Sequence, residues 1–139
     1  MSQVTVDNLP HRQPFLFLTT IEELEAGRHG VGKWQIRGDE DFFVGHFPGN
    51  PVLPGVLLAE SLAQLSGLVA FAGDVTGVAS AARLAQVNVK FQSGVVPPAE
   101  IRLETAVARE MSGLYLFDVR AEVLGVVVAI GSLVLARVS

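Results

Sequence analysis

The sequence predicts a single α+β domain in which a curved antiparallel sheet of about six strands wraps one long apolar helix. Two observations predict it: a continuous Leu/Ala-rich run near the middle of the chain, and a period-two alternation of apolar and polar residues through most of the second half. A third bounds it, because 139 residues suit one domain with a real core and no need of staples.

Two strands are expected first, at Leu16 to Leu24 and Gly30 to Ile36, joined by Ala26-Gly27-Arg28-His29. The helix is expected from Pro54 to Gly73. A proline suits its first turn, and Gly73-Asp74 reads as a carboxyl cap. It is apolar nearly all round, with Glu60 and Gln64 one turn apart as a narrow polar stripe. The run Val52 to Ala72 approaches membrane-spanning length, but Pro54, Glu60 and Gln64 interrupt it and no basic residues flank it. A helix buried in protein is the expectation.

Four strands come after the helix. Val87, Val89 and Phe91 alternate with Gln86, Asn88, Lys90 and Gln92, and Ile101, Leu103 and Val107 with Arg102 and Glu104. Tyr115, Phe117, Val119, Ala121 and Val123 alternate with Asp118, Arg120 and Glu122. The last, Val126 to Val138, is apolar on both faces, which predicts a central place in the sheet or a covering partner. Breaks are expected at Pro97-Pro98, Ser112-Gly113 and Leu124-Gly125. Two strands, a buried helix and four antiparallel strands give the arrangement known as the hotdog fold.

Composition narrows the function. Half the residues are hydrophobic and only 17% are charged, so apolar surface is expected to be covered in a homo-oligomer. A net charge of -4, without a Lys/Arg run, argues against nucleic acid. The absence of cysteine removes disulfides, thiolate nucleophiles and Cys-based zinc sites, and the start Met1 to Asp7 lacks a signal-peptide pattern. A cytoplasmic location is the expectation. His11, His29 and His46 lie far apart without ligand spacing, so no metal is expected.

Chemistry points to one segment, Gly45 to Gln64. Its first eleven residues hold three prolines and three glycines, stiffening the loop in places and opening it to a ligand in others. His46 stands near one end, and Glu60 lies inside the apolar helix beyond. A histidine can take a proton from carbon and a carboxyl group can give one to a departing oxygen, so together they can remove water. The backbone N–H groups at Gly55-Val56, at the positive end of the helix, suit a carbonyl oxygen gaining charge. Phe42, Phe43, Phe47, Leu53 and Leu57 are candidates to line an acyl pocket. Plainer readings stand beside these. His46 could fill a turn, and Glu60 could be a buried carboxylate satisfied by Gln64. Gln64 reads as an orienter of Glu60 or a core amide, His11 as a turn stabiliser, His29 as a solvated hairpin residue, and Arg83 and Lys90 as ordinary strand charges.

The segment Gly45-His46-Phe47-Pro48-Gly49, the run Pro54-Gly55-Val56-Leu57 with Glu60 and Gln64, and the upstream Leu9-Pro10-His11-Arg12-Gln13-Pro14-Phe15-Leu16 carry a resemblance. They are similar to the 3-hydroxyacyl-[acyl-carrier-protein] dehydratases of the FabZ type. The resemblance implies a cofactor-free lyase that converts (3R)-3-hydroxyacyl thioesters on acyl carrier protein to trans-2-enoyl thioesters, in fatty-acid or polyketide/polyene-type biosynthesis. It implies His46 and Glu60 as the catalytic pair, contributed by different subunits of a dimer or trimer of dimers. It also implies Gly55 as a donor to the thioester oxygen, with Val56, Phe47 and Gln64 beside the substrate. The related dehydratase-isomerase type carries aspartate at the position of Glu60, so dehydration without isomerisation is expected. The alternatives are a hotdog thioesterase in which Glu60 activates water, and an acyl-binding paralogue without turnover. The chain departs from the family at Gln13, Thr19, Gln92-Ser93 and Pro97-Pro98-Ala99. Family members usually have a basic pair at Gln92-Ser93, which leaves Arg12, Arg83, Lys90, Arg102 and Arg109 as cations for carrier docking.

Overall fold

The Leu/Ala-rich run folds as helix α1, Gly55–Phe71, and six strands surround it: β1 Thr20–Glu25, β2 His29–Ile36, β3 Ala82–Phe91, β4 Ala99–Met111, β5 Leu114–Val123 and β6 Val126–Arg137. These elements belong to a computed structural model that describes residues 4–71 and 82–137. The expected cap at Gly73-Asp74 and the strand end at Val138 lie outside the described residues. The strands form one sheet in the order β1-β2-β4-β5-β6-β3, and every neighbouring pair is antiparallel.

Alternation along the strands sorts the two faces. Trp34, Ile36, Ile101, Leu103, Phe117, Val119, Ala121, Leu133 and Leu135 point into the core with Leu58, Leu62, Leu65, Leu68 and Val69 of α1. The opposite face carries charge: Arg102 meets Glu104, Arg120 meets Glu104 and Glu122, and Lys33 meets Glu22 and Glu100. Exposed pairs of this kind add little stability and keep the outer face wet. The apolar burial does the holding. Inside it, the Ser66 hydroxyl bonds Leu62 O and Thr105 Oγ1, so the one buried hydroxyl pair tying α1 to β4 among the described residues is internally satisfied.

Small residues let the sheet close on the helix. A Cβ at Gly30 would lie 2.8 Å from Val69 Cγ2, and one at Gly32 would lie 3.0 Å from Leu18 Cδ1. β2 therefore packs nearer α1 than a side-chain-bearing strand could. The hairpin breaks fall where expected: Ser112 and Gly113 have φ of 50° and 83°, and Leu124 and Gly125 have 52° and 79°. Two successive residues at positive φ match the twist of the flanking strands.

One expectation needs adjusting, and a second is met. The first strand begins at Thr20, not Leu16. The residues before it satisfy their backbone differently: Phe17 N–H donates to Gln64 Oε1 at 2.8 Å, and Phe17 O accepts from Ser61 Oγ at 2.6 Å. Helix side chains take the place of a strand partner. The second concerns β6, which lies between β5 and β3, so its two apolar faces fit an interior strand. The sheet edges are β1 and β3, and on β3 Val87 and Phe91 remain 45% and 47% exposed.

Candidate active site

The loop bearing His46 is fastened at both ends. Upstream, the Glu40 carboxylate accepts N–H bonds from Arg37 at 3.0 Å and Gly38 at 2.8 Å. Partial burial works against its charged form, but the Gly38 and Arg37 amides outweigh that and hold its carboxyl below the usual range. A short 3₁₀ turn at Asp41–Phe43 comes next. Downstream, Phe47 and Asn50 exchange backbone bonds of 3.0 and 2.8 Å, Val52 N–H returns to His46 O at 3.0 Å, and Leu53 N–H bonds Val95 O at 2.8 Å. The His46–Phe47 peptide is cis, and the two rings stack with centroids 4.2 Å apart.

This closure decides which nitrogen of His46 is the base. Nδ1 lies 2.7 Å from Val52 O. A carbonyl oxygen can only accept, so Nδ1 carries the hydrogen of the neutral ring and Nε2 is left with its lone pair. The ring is oriented and its tautomer set by backbone.

Helix α1 begins immediately beyond. Leu57 and Leu58 N–H groups both donate to Pro54 O, at 3.0 and 3.2 Å. Those of Gly55 and Val56 precede them and face outward from the helix start, where anions and developing oxyanions are favoured. A Cβ at Gly55 would lie 3.2 to 3.3 Å from the Phe91 ring, so glycine keeps this approach narrow but open. Leu53, Gly55, Leu58, Phe91 and Val95 border a cavity of about 180 Å³ there.

One turn and a half along α1, Glu60 is 21% exposed, and its Oε2 receives Gln64 Nε2–H at 3.1 Å. Gln64 is buried. Its amide also donates to Phe15 O at 3.0 Å and accepts from Phe17 N–H, so its polar groups are engaged with the segment that precedes β1. His11 completes the group, with Nε2 3.6 Å from Glu60 Oε2. A cavity of about 50 Å³, lined by Leu9, His11, Glu60, Gln64, Gly67 and Leu84 among others, opens beside them.

Within one chain the structure brings Glu60, Gln64 and His11 together, and places Gly55 and Val56 at the helix start with His46 in the loop that leads to it. It does not join His46 to Glu60: among the described residues no ion pair or hydrogen bond links them, and the cavity beside Glu60 is not lined by His46. Of the expected acyl lining, Leu53 is at the cavity wall and Phe47 is half exposed at the loop tip. Phe42 and Phe43 instead pack on one another with tilted rings, centroids 4.6 Å apart, and Phe42 packs on Phe17 and Trp34, which makes them supports of the loop. Phe91 and His11 join the site although nothing in their local sequence assigns them to it. A larger concavity, about 660 Å³, lies at the ends of β2 and β4 with the β5–β6 turn and is lined by none of His11, His46, Gly55, Glu60 and Gln64. Among the described residues no helix is long and apolar enough to cross a membrane.

Residues 9–131 match the FabA-like domain. A 3-hydroxyacyl-[acyl-carrier-protein] dehydratase FabZ of Geotalea uraniireducens is 39% identical over 120 residues, covering 85% of this chain and 83% of that protein. The enzyme of the same name from Thermomicrobium roseum is 40% identical over 129 residues, covering 92% and 86%. The chain belongs to the FabA-like family. Its FabA-like fold is shared more widely: a chain of the dehydratase heterocomplex ApeI:P from Xenorhabdus doucetiae superposes with TM-score 0.80 at 18% identity, over 99% of this chain and 93% of that one. A hypothetical thioesterase with coenzyme A from Streptococcus pneumoniae superposes with TM-score 0.64 at 14% identity, over 86% and 84%. At such identities the likeness speaks for the hotdog fold alone. The FabA-like match spans the His46 loop, α1, β1 to β5 and the first half of β6, so the family assignment covers the site as well as most of the scaffold.

Proposed function

We propose that this FabA-like protein is a 3-hydroxyacyl-[acyl-carrier-protein] dehydratase acting as a homodimer. His46 Nε2 removes a proton from C2 of the acyl thioester. The electron pair moves onto the thioester carbonyl oxygen, which the Gly55 N–H and the positive end of α1 stabilise. As the carbonyl re-forms, the C2–C3 double bond forms and the C3–O bond breaks. Glu60, in its acid form, gives its proton to the departing hydroxyl, and water leaves. His46 then returns the proton to Glu60, directly or through solvent, which restores both groups. No cofactor takes part.

The observation that carries this reading is the 2.7 Å contact from His46 Nδ1 to Val52 O, which leaves Nε2 as a proton acceptor on the loop that leads into α1. Relatives about 40% identical that bear the dehydratase name support the substrate class. Two features support a dimer with His46 of the partner subunit reaching Glu60. No hydrogen bond or ion pair joins His46 and Glu60 within one chain among the described residues, and β3 is a ten-residue edge strand with exposed Val87 and Phe91. A long apolar edge is an invitation to pair, and soluble proteins cover it. Val44 and Phe47 on the His46 loop and Val56 at the helix start are also exposed, and a second subunit would bury them.

The reaction is tested by incubating the protein with a 3-hydroxyacyl carrier protein and resolving the product by mass. Loss of one water with retention of the thioester is expected. Release of free thiol without an enoyl product would instead mark a thioesterase, and no product at all would mark an acyl-binding protein.

A further inference from the structure

Glu60 has two oxygens, and the fold treats them differently. Gln64 Nε2–H donates to Oε2, and His11 Nε2 faces the same atom. Oε1 receives no hydrogen bond among the described residues. His11 itself is not loosely placed. Arg12 Nη1 pins the backbone on either side of it by donating to Leu9 O at 2.6 Å and His11 O at 2.7 Å. The Phe15 ring lies against the imidazole, 6.4 Å between centroids at 23°, and Phe15 O is held in turn by Gln64.

The other ring nitrogen indicates the tautomer. His11 Nδ1 is buried and has no hydrogen-bond partner. An N–H directed into that space would be an unsatisfied donor, and a doubly protonated ring would bury one as well. A neutral ring with its hydrogen on Nε2 leaves only a bare lone pair there and turns its one donor toward Glu60. At 3.6 Å the contact is an electrostatic one that a small closure would make a hydrogen bond.

We propose that His11 is a positioning residue for Glu60: together with Gln64 it directs N–H dipoles onto Oε2, so that the acid proton sits on Oε1 and faces the substrate hydroxyl. It touches neither C2 nor the leaving oxygen. Without it, the carboxyl can turn or carry its proton on the oxygen facing away, and a smaller fraction of bound substrate meets the donor.

This inference rests on Glu60 being the proton donor, and the test separates the two. His11→Phe keeps a ring against Phe15 but has no donor, whereas His11→Gln restores an N–H near the position of Nε2. With saturating hydroxyacyl carrier protein, His11→Phe lowers kcat by about 10- to 100-fold, with KM nearly unchanged. His11→Gln recovers most of the loss. His11→Leu serves as the donor-free variant should the phenylalanine protein not fold. Wild-type kcat in the donor-free variant overturns the proposal, as does a glutamine variant equally slow. In both cases an inactive Glu60→Gln control leaves Glu60 as the acid, while an active one removes the reading beneath it.

Discussion

Glu60→Gln and His46→Ala each slow formation of the enoyl thioester by roughly 10²- to 10⁴-fold, the range general acid and general base groups supply. Glutamine preserves the length of Glu60 and an oxygen able to accept the Gln64 bond, so the helix and its cavity are expected to survive. What it removes is the proton that the leaving hydroxyl needs. Alanine at 46 removes Nε2, the base, and also the bond to Val52 O that steadies the loop. Some of its loss will therefore appear as weaker substrate binding. The measurement is steady-state dehydration of a hydroxyacyl carrier protein, with circular dichroism confirming the fold. Near-normal turnover in either variant would displace that residue from its role.

Gly131→Ala is expected to be the most damaging small substitution in the sheet. A Cβ at Gly131 would sit 2.7 Å from Val89 Cα, and closer still to the carbonyl oxygen of Asn88. Both neighbours are backbone, so no rotamer change can relieve the overlap, and β3 must move away from β6. Overpacking of this kind costs about 1–3 kcal/mol, a fall in Tm of roughly 5–10 °C for a domain of this size. Because β3 is also the edge proposed to meet the second subunit, dimer content should fall with it. Gly67→Ala is the contrast, since its Cβ would meet only Leu135 Cδ1 at 4.0 Å and alanine favours the helix. Thermal melting and sedimentation of the two variants check the pair. Equal melting temperatures would mean that β3 adapts freely.

Most of the sheet was legible because one face of each strand is buried, and burial enforces a period of two. Phe117, Val119 and Ala121 on one side of β5, with Asp118, Arg120 and Glu122 on the other, are that rule made visible. Its ends were less legible where partners are distant in sequence. Leu16 to Thr19 have the apolar character of a strand, yet Gln64 and Ser61 take the bonds of Phe17 across more than forty residues. The same separation hid the contact of His11 with Glu60, because nothing in local spacing relates residues 11 and 60. Phe42 and Phe43 looked like pocket lining because aromatic type does not reveal direction. Their tilted packing on each other, and the packing of Phe42 on Phe17 and Trp34, does. His46 and Glu60 were recognisable as residues, but among the described residues no hydrogen bond or ion pair joins them within one chain, and no intrachain spacing bears on the proposal that they meet across subunits.

That meeting is the central claim, and mixing two inactive proteins tests it most directly. His46→Ala and Glu60→Gln chains are unfolded together and refolded, or co-expressed with different tags, so that mixed dimers form. If each site takes His46 from one chain and Glu60 from the other, a mixed dimer holds one intact site and one doubly damaged site. Random pairing then restores about a quarter of wild-type activity from two preparations that have almost none. A mixture in which tagged heterodimers are present but activity stays at the level of the separate variants would contradict the shared site and require His46 and Glu60 to act within one chain.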